Sequence, residues 1–174
     1  MKNNKQRIGA QKLDFELVDL YKSKSNKSAT LALHFDTKET NQFCDFTEAV
    51  IEIVAKSSIK HGSVTLFTPH TTTAVVINES ETGYINDFKK KIEELVPSDS
   101  YYEHDDWDLR TENMQEDENV NGTSHVRSTI IGSTGVTLPI INSELIIGRW
   151  QRLFFVELDC ARSRRLFVQT QDLN

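Results

Sequence analysis

The sequence predicts an α+β fold in a single domain, mostly antiparallel β-sheet or sandwich, with two main helices and a short third helix. Short segments with alternating apolar residues recur near residue 30 and through the C-terminal third, as in half-buried strands. Two longer segments instead carry apolar residues at helical spacing. A chain of 174 residues is large enough to bury one core, and no linker or internal repeat divides it.

The N-terminal part is predicted to be a disordered segment followed by two strands. Residues 1–10 are polar and indicate disorder. Residues 12–18 alternate apolar and polar side chains, which favours an edge strand. After a polar turn over 22–27, the alternation over 29–35 predicts the next strand.

Both main helices have sequence signals at their ends. Asp45 followed by Glu48 resembles a capping box, and His61-Gly62 places a glycine where helices often end in a left-handed residue. The second helix is predicted from about residue 81 to residue 96, where Pro97 stops it.

The second half of the chain is predicted to be an acidic loop, one ambiguous segment and a run of strands. Residues 98–122 show no periodicity, and loops of this length in a compact domain are usually functional or disordered. Residues 123–131 could form a short helix closed by a glycine, but their β-branched side chains also suit a strand. A hairpin over 136–147 and strands over 150–158 and 162–169 complete an antiparallel sheet.

One stretch near the middle of the chain holds the strongest candidate for chemistry. A strand over 64–67 ends at Pro69, which cannot donate to a β-ladder, and His70 follows at the break. A second buried strand over 74–77 leads to a carboxylate at Glu79. Eight residues of straight strand span roughly 26 Å. His70 and Glu79 therefore cannot share a site in one chain unless the strand bends, although a subunit interface could bring them together.

Two further histidines stand in polar surroundings, His104 in an acidic segment and His125 after two hydroxyl residues. The central hypothesis is that His70, His104 and His125 converge on one metal or anion site. Three neutral imidazoles suit a zinc-like ion that keeps an open position. The spacings of 34 and 21 residues are too long for a local metal motif, and a lone histidine is more often a surface residue than a ligand.

Composition excludes several classes of protein. The net charge of −6 argues against a broad nucleic-acid surface. No apolar stretch approaches the roughly 20 residues of a membrane span, and the basic N-terminus lacks the apolar segment of a secretory signal. Two cysteines form no disulfide framework, so the expected compartment is the cytoplasm. Acidic residues concentrate over 99–118, and arginines concentrate in the C-terminal part. A phosphate-bearing ligand is expected at the arginine-rich C-terminal part.

Several motifs occur in an order that is similar to a known family. They are HTTTAVVINES, YEHDD, SHVRSTIIGSTGVTLPIINSELIIGRWQRLFFVELD and RSRR. Together they resemble the YjbQ family, also called the secondary thiamine-phosphate synthase-like family. The match covers about residues 29–170, so residues 1–28 are predicted to be a partly disordered N-terminal extension and residues 29–174 a YjbQ-like domain.

The resemblance implies a small, largely antiparallel α+β protein that assembles as a homotrimer. It implies that His70, His104 and His125 gather in a pocket for a metal ion or a phosphate-like anion, and that Asn78 and Glu79 lie near a functional surface. The activity attributed to the family is low-level thiamine phosphate synthesis. In that reaction a pyrimidine pyrophosphate and a thiazole phosphate join, and pyrophosphate leaves.

These expectations give a complete assignment of the site. His70 and Glu79 are the predicted catalytic groups, and His70, His104 and His125 are the predicted ligands of a divalent, zinc-like metal, with Mg²⁺ possible alongside the substrate. The predicted substrate- or phosphate-binding residues are Thr71, Asn78, Arg127, Arg162, Arg164 and Arg165. The predicted partners are copies of the chain itself and a small phosphorylated molecule or anion, without nucleic acid or membrane. The alternative is a metal- or phosphate-binding trimer without robust catalysis.

The chain departs from the family pattern at three places. Arg149 stands where the family usually has threonine before Trp150, and Asp159-Cys160-Ala161-Arg162 replaces an aspartate-glycine-proline-arginine motif. The acidic insert between His104 and His125 is longer than in short members. These differences bear on the bound substrate more than on the fold.

Overall fold

Within the described residues, nine β-strands form two antiparallel sheets, and three α-helices flank them. A computed structural model describes residues 14–23, 28–115 and 118–173. The strands are β1 Glu16–Lys22, β2 Ser28–Asp36, β3 Gln42–Asp45, β4 His61–Phe67, β5 Thr73–Glu79, β6 Gly135–Ile141, β7 Glu144–Leu145, β8 Gln151–Glu157 and β9 Ser163–Asp172. The helices are α1 Thr47–Lys56, α2 Thr82–Leu95 and α3 Gly122–Ile131, with a short 3₁₀ helix at Glu103–Asp105. The α+β prediction, including its short third helix, is confirmed.

The larger sheet has six strands in the order β1-β2-β9-β4-β6-β7. Alternate side chains of β2 and β9 face the core, as the period of two in their sequence predicts. The inward set of β9 begins with Arg164 and continues with Leu166 and Val168. One arginine of the RSRR motif therefore enters the interior, while Arg165 stays exposed.

The smaller sheet, in the order β3-β8-β5, lies between two apolar clusters. Leu153 and Phe155 of β8 belong to the main core, which also contains residues of the six-stranded sheet and α1. Phe154 and Val156 point the other way and pack in a second cluster with Ile85 of α2. The middle strand is therefore buried on both faces, which explains its nearly continuous apolar sequence.

The first helix is shorter than predicted. Asp45 lies one residue before the N-cap Phe46 and still satisfies the first turn, because its Oδ1 accepts hydrogen bonds from the backbone N of Thr47 at 2.9 Å and from its hydroxyl at 2.6 Å. The helix ends at Lys56 rather than at His61-Gly62, which instead begins β4. A Cβ on Gly62 would lie 2.2 Å from the carbonyl oxygen of Gln171, so this glycine permits close strand approach and does not end a helix.

The other two helices agree with the sequence signals. Glu81 caps α2 by accepting from the backbone N of Gly83 and Tyr84 at 2.7 and 2.8 Å. Residues 122–131 form a helix and not a strand, and this helix ends at Gly132 with φ +71°.

The predicted edge strand is present but shifted along the chain. β1 pairs with β2 at the edge of the larger sheet, so part of the segment predicted to be an extension belongs to that sheet. The disorder predicted for residues 1–10 concerns a segment outside the described residues, as does most of the turn predicted over 22–27. None of the described helices is long and apolar enough to cross a membrane.

Candidate functional site

All three predicted histidines line one open cavity with a volume of about 930 Å³, here called the histidine cavity. His70 comes from the turn between β4 and β5, His104 from the 3₁₀ helix, and His125 from the first turn of α3. The loop between β8 and β9 supplies Asp159 and Arg162. The cavity is further lined by Thr71, Thr72, Arg110, Glu118, Asn121 and Arg164. The three histidines therefore line the same cavity as Thr71, Arg162 and Arg164 within one chain.

The turn that carries His70 is fixed by its threonines. The hydroxyls of Thr68 and Thr73 lie 2.7 Å apart in the interior, and the Thr73 hydroxyl donates to the carbonyl of His70 at 3.3 Å. The backbone N of His70 also donates to the Thr68 hydroxyl at 3.4 Å. The threonine-rich sequence around Pro69 thus closes a tight turn and presents the imidazole.

The imidazole of His70 has a defined role in hydrogen bonding. Its Nε2 accepts a hydrogen bond from the backbone N of Arg165 at 3.0 Å, so in the neutral ring the proton resides on Nδ1. Burial of the ring, together with the positive charges of Arg164 and Arg165, lowers the pKa of His70 to about 4. At neutral pH His70 is therefore uncharged and can donate a hydrogen bond through Nδ1.

His104 and His125 form a close pair in the lining of the same cavity. Their ring centroids are 4.4 Å apart, with planes inclined at 53°. Nε2 of His104 lies 3.2 Å from Oδ1 of Asn121 and 3.4 Å from a carboxylate oxygen of Glu118. Burial, and then the charge of His104, lowers the pKa of His125. Protonation of His125 is therefore disfavoured beside its neighbouring ring.

Behind His70 lies a buried ion pair. Nε and Nη2 of Arg164 each donate to a carboxylate oxygen of Glu157 at 2.6 Å, and Nη2 also donates to the Thr72 hydroxyl at 3.1 Å. Glu157 accepts further hydrogen bonds from the Thr37 hydroxyl at 2.9 Å and from the backbone N of Asp159 at 3.0 Å. This bidentate pairing fixes the guanidinium plane at the cavity wall, and Nη1 takes no part in these bonds.

Two more arginines at the cavity are paired with carboxylates. Nη2 of Arg162 lies 2.9 Å from Asp159, and Nη1 of Arg110 lies 2.8 Å from Glu118. Arg110 also donates to the carbonyl of His104 at 3.1 Å and to that of Asn113 at 2.9 Å. Arg110 thus links Asn113 and Glu118 to the backbone of His104.

Four predicted site residues lie elsewhere. Arg127 is buried, and its guanidinium donates to Glu93 at 2.5 Å and to the carbonyl of Val96 at 2.7 and 3.1 Å, which fastens α3 to the end of α2. Arg165 contacts His70 only through its backbone N, while its guanidinium lies 5.8 Å from the Phe167 ring centroid. Asn78 and Glu79 are exposed at the far end of β5 and do not line the histidine cavity.

The N-terminus of α3 is occupied by a side chain of the protein itself. Oδ1 of Asp105 accepts from the backbone N of Asn121 and of Gly122, both at 2.9 Å. A carboxylate at a helix N-terminus is stabilised by the helix dipole. Asp105 therefore anchors the 3₁₀ helix to α3.

The three imidazoles do not form a metal-ligand set as they stand. Across residues 14–23, 28–115 and 118–173, no group of three or more His, Cys, Asp or Glu side chains is placed to hold a metal ion. Nε2 of His70 is already a hydrogen-bond acceptor, and a protonated Nδ1 cannot coordinate a cation. The zinc-like ion stays a prediction.

Sequence reasoning missed Arg110, Asn121, Glu157 and Asp159. A signal for Glu157 existed, because the period of two places it on the same face of β8 as Leu153 and Phe155. A carboxylate on a core-facing strand position requires a buried partner. Arg110 carried a weaker signal as the only base in an acidic segment.

Fold and cavity together define a two-sheet α+β protein with a polar pocket lined by imidazoles and guanidiniums. Residues 31–172 match the family model described as "UPF0047 protein YjbQ-like", and the chain belongs to this family. A UPF0047 protein from Archaeoglobus fulgidus is 34% identical over 139 residues, which is 80% of this chain and 98% of the relative. A UPF0047 protein from Methanothermobacter thermautotrophicus is 33% identical, with 80% and 89% covered.

Solved structures agree with this assignment. A crystal structure from Sulfolobus solfataricus P2, described as a YbjQ-like protein of unknown function, has a TM-score of 0.66 and 30% identity, covering 82% of this chain and 97% of that one. A hypothetical protein from Aeropyrum pernix K1 has a TM-score of 0.66 and 29% identity, covering 81% and 98%. The YjbQ resemblance predicted from the motifs is confirmed.

Proposed function

We propose that this protein binds a small phosphorylated molecule in the histidine cavity and joins a pyrimidine pyrophosphate to a thiazole phosphate, releasing pyrophosphate as a weak or secondary activity. One observation carries the proposal. Histidines from three separate motifs line the same cavity as Arg162 and Arg164, although they are far apart in sequence. A polar cavity with a few convergent donors is the usual form of a small-molecule site.

The side chains present suit the neutralisation of a leaving pyrophosphate. In the proposed reaction the bond between the pyrimidine methylene carbon and the pyrophosphate oxygen breaks, and a bond from that carbon to the thiazole nitrogen forms. Negative charge develops on the leaving oxygen, where preorganised donors are most effective. Arg164, held by Glu157, would offer Nη1, Arg162 would offer a second guanidinium, and neutral His70 would donate from Nδ1. A Mg²⁺ ion carried by the substrate phosphates would add to this neutralisation.

A homotrimer is part of the proposal, because Asn78 and Glu79 stand apart from the histidine cavity within the chain. A neighbouring subunit is the remaining way to bring this pair near a cavity. The site would then combine His70 of one subunit with Glu79 of another. A cytoplasmic location, expected from the cysteines, is also part of the proposal.

The test uses two arginines of one motif as a matched pair. Calorimetric titration with pyrophosphate would compare wild type, Arg162→Ala and Arg165→Ala. Arg162 lines the cavity and Arg165 has its guanidinium beside Phe167. Loss of a charge-assisted contact costs roughly 1.5–3 kcal/mol, so Arg162→Ala is expected to weaken binding about tenfold or more. Arg165→Ala removes a charge near His70 but no side chain that lines the cavity, so it should weaken binding much less than Arg162→Ala does.

Turnover then separates catalysis from binding alone. Wild type and His70→Ala would be assayed with pyrimidine pyrophosphate and thiazole phosphate, following release of pyrophosphate. A rate that falls in His70→Ala supports the transferase proposal, whereas equal rates contradict catalysis at this site. Pyrophosphate binding without turnover would favour the alternative, a phosphate-binding protein without robust catalysis.

A further inference from the structure

A second cavity adjoins the first and belongs to none of the predicted sites. Its volume is about 610 Å³, within the range of roughly 300–1,000 Å³ typical of small-molecule pockets. It lies under the acidic loop and is here called the loop cavity. Its walls include Tyr101, Asp106, Trp107, Asp108, Asn121 and Asp159.

The two cavities share one partition. Asn121 and Asp159 line both, and Nδ2 of Asn121 donates to Oδ2 of Asp159 at 3.0 Å. Asp159 also pairs with Arg162, one of the predicted phosphate contacts. Only the hydrogen-bonded pair of Asn121 and Asp159 would therefore separate a phosphate near Arg162 from the loop cavity.

The two cavities differ in their cationic groups. Three arginines line the histidine cavity beside four carboxylates, Glu103, Glu112, Glu118 and Asp159. The loop cavity is lined by four aspartates, and its one arginine, Arg127, is buried and already paired with Glu93. Phosphate is disfavoured beside these carboxylates, while amino groups are favoured as hydrogen-bond donors. A ligand that spans both spaces is thus oriented with its phosphate at the histidines.

Aromatic side chains supply a flat apolar surface in the loop cavity. Trp107 is 47% exposed and Tyr101 is 69% exposed, which leaves ring surface available for stacking. Tyr101 is held in place because its hydroxyl donates to Oδ2 of Asp106 at 2.5 Å. Tyr102 is held through its hydroxyl, which donates to the carbonyl of Pro97 at 2.6 Å. These hydrogen bonds hold both tyrosine side chains in the wall of the loop cavity.

We infer that the loop cavity binds the amino-substituted heteroaromatic ring of the ligand whose phosphate occupies the histidine cavity. Trp107 stacks on the ring, and the carboxylates of Asp106 and Asp108 accept hydrogen bonds from its amino group. The inference rests on the proposed function for the position of the phosphate. It adds the place in the fold where the ring of that ligand binds, and it makes the acidic insert a specificity element.

The experiment uses the intrinsic fluorescence of Trp107. The chain has two tryptophans, and Trp150 lies outside both cavities, so Trp150→Phe leaves Trp107 as the sole reporter. The probes are pyrophosphate, an unphosphorylated aminopyrimidine and the same aminopyrimidine carrying a pyrophosphate. Both aminopyrimidines should quench Trp107 emission. The pyrophosphorylated one should bind about tenfold tighter than pyrophosphate alone, because stacking of one base contributes roughly 1–3 kcal/mol.

Two variants distinguish ring binding in the loop cavity from phosphate binding in the histidine cavity. Trp107→Leu, measured by calorimetry, should lower affinity for the aminopyrimidine pyrophosphate about tenfold and leave pyrophosphate binding unchanged. Asp108→Asn, at an exposed position where folding is not at risk, should weaken the same ligand without affecting pyrophosphate. Equal affinity for pyrophosphate and for its aminopyrimidine ester, unchanged in both variants, would overturn the inference. Loss of pyrophosphate binding itself would count against the proposed function instead.

Discussion

The two ends of strand β5 have opposite surroundings. At its start, Thr73 lies opposite Glu157 of β8, both are fully buried, and His70 precedes them at the cavity. At its finish, Glu79 lies opposite Gln151, and both are exposed. The same two strands thus support an enclosed polar network at one end and a solvated surface at the other. The difference shows that the cavity lies at the end of the strand pair where a buried carboxylate organises a polar network.

Removal of that carboxylate should give the largest effect. In Glu157→Ala, Arg164 would remain buried without its bidentate partner. Breaking a buried ion pair from one side costs about 3–5 kcal/mol, so the free energy of unfolding should fall by about that amount. Urea unfolding of wild type and variant measures it.

The opposite end of the strand provides the control. Glu79→Ala removes a carboxylate from the same strand pair at an exposed position, where substitutions change stability by less than about 0.5 kcal/mol. Similar losses in the two variants would show that the buried pair does not carry the stability assigned to it here.

Acidification should produce the next effect, through His70. Its pKa is about 4 in the folded protein, against about 6.5 in an unfolded chain. As pH falls from about 6.5 to 4, the unfolded state takes up this proton first, and the folded state loses stability relative to it. For a partly exposed ring, solvent screening reduces the expected loss to about 1–2 kcal/mol. Above pH 7 this group should contribute no pH dependence.

The comparison variant is His70→Gln, which removes the titrating ring. Unfolding curves at pH 7.0, 5.5 and 4.5 should converge for wild type and variant as the pH falls. Nitrogen chemical shifts of the imidazole at pH 7 should show the proton on Nδ1, since Nε2 accepts from Arg165. Parallel loss of stability in both proteins, or a proton on Nε2, would contradict this arrangement.

Local sequence signals predicted most of the secondary structure. The alternation in β8, the first-turn hydrogen bonds to Asp45 and the glycine after α3 are consequences of neighbouring residues, so they are readable without tertiary contacts. The segment 123–131 stayed ambiguous because its β-branched side chains suit both structures. Contacts distant in sequence favour the helix, since the hydroxyls of Ser124 and Ser128 donate to the carbonyls of Leu158 and Thr73 at 2.7 and 2.9 Å.

The residues of the histidine cavity were predictable only in part, because contacts distant in sequence bring them together. The gathering of the three histidines came from motif resemblance, because spacings of 34 and 21 residues indicate no shared site. Arg127 and Arg164 are both buried arginines, and their sequence surroundings do not distinguish them. Arg127 fastens two helices through Glu93, whereas Arg164 lines the cavity beside His70. Only long-range packing decides which guanidinium a ligand can reach.

The smallest effect within a single chain is expected for Glu79. It lies six residues along β5 from Thr73, roughly 20 Å for an extended strand. At this distance a solvated charge is screened at physiological salt. Glu79→Gln should therefore change pyrophosphate affinity by less than about twofold if each chain supplies its own site. A tenfold or larger drop, together with a trimeric mass in light scattering, would show that the exposed end of β5 completes the cavity of a neighbouring subunit. The same drop in a monomeric sample would contradict both arrangements.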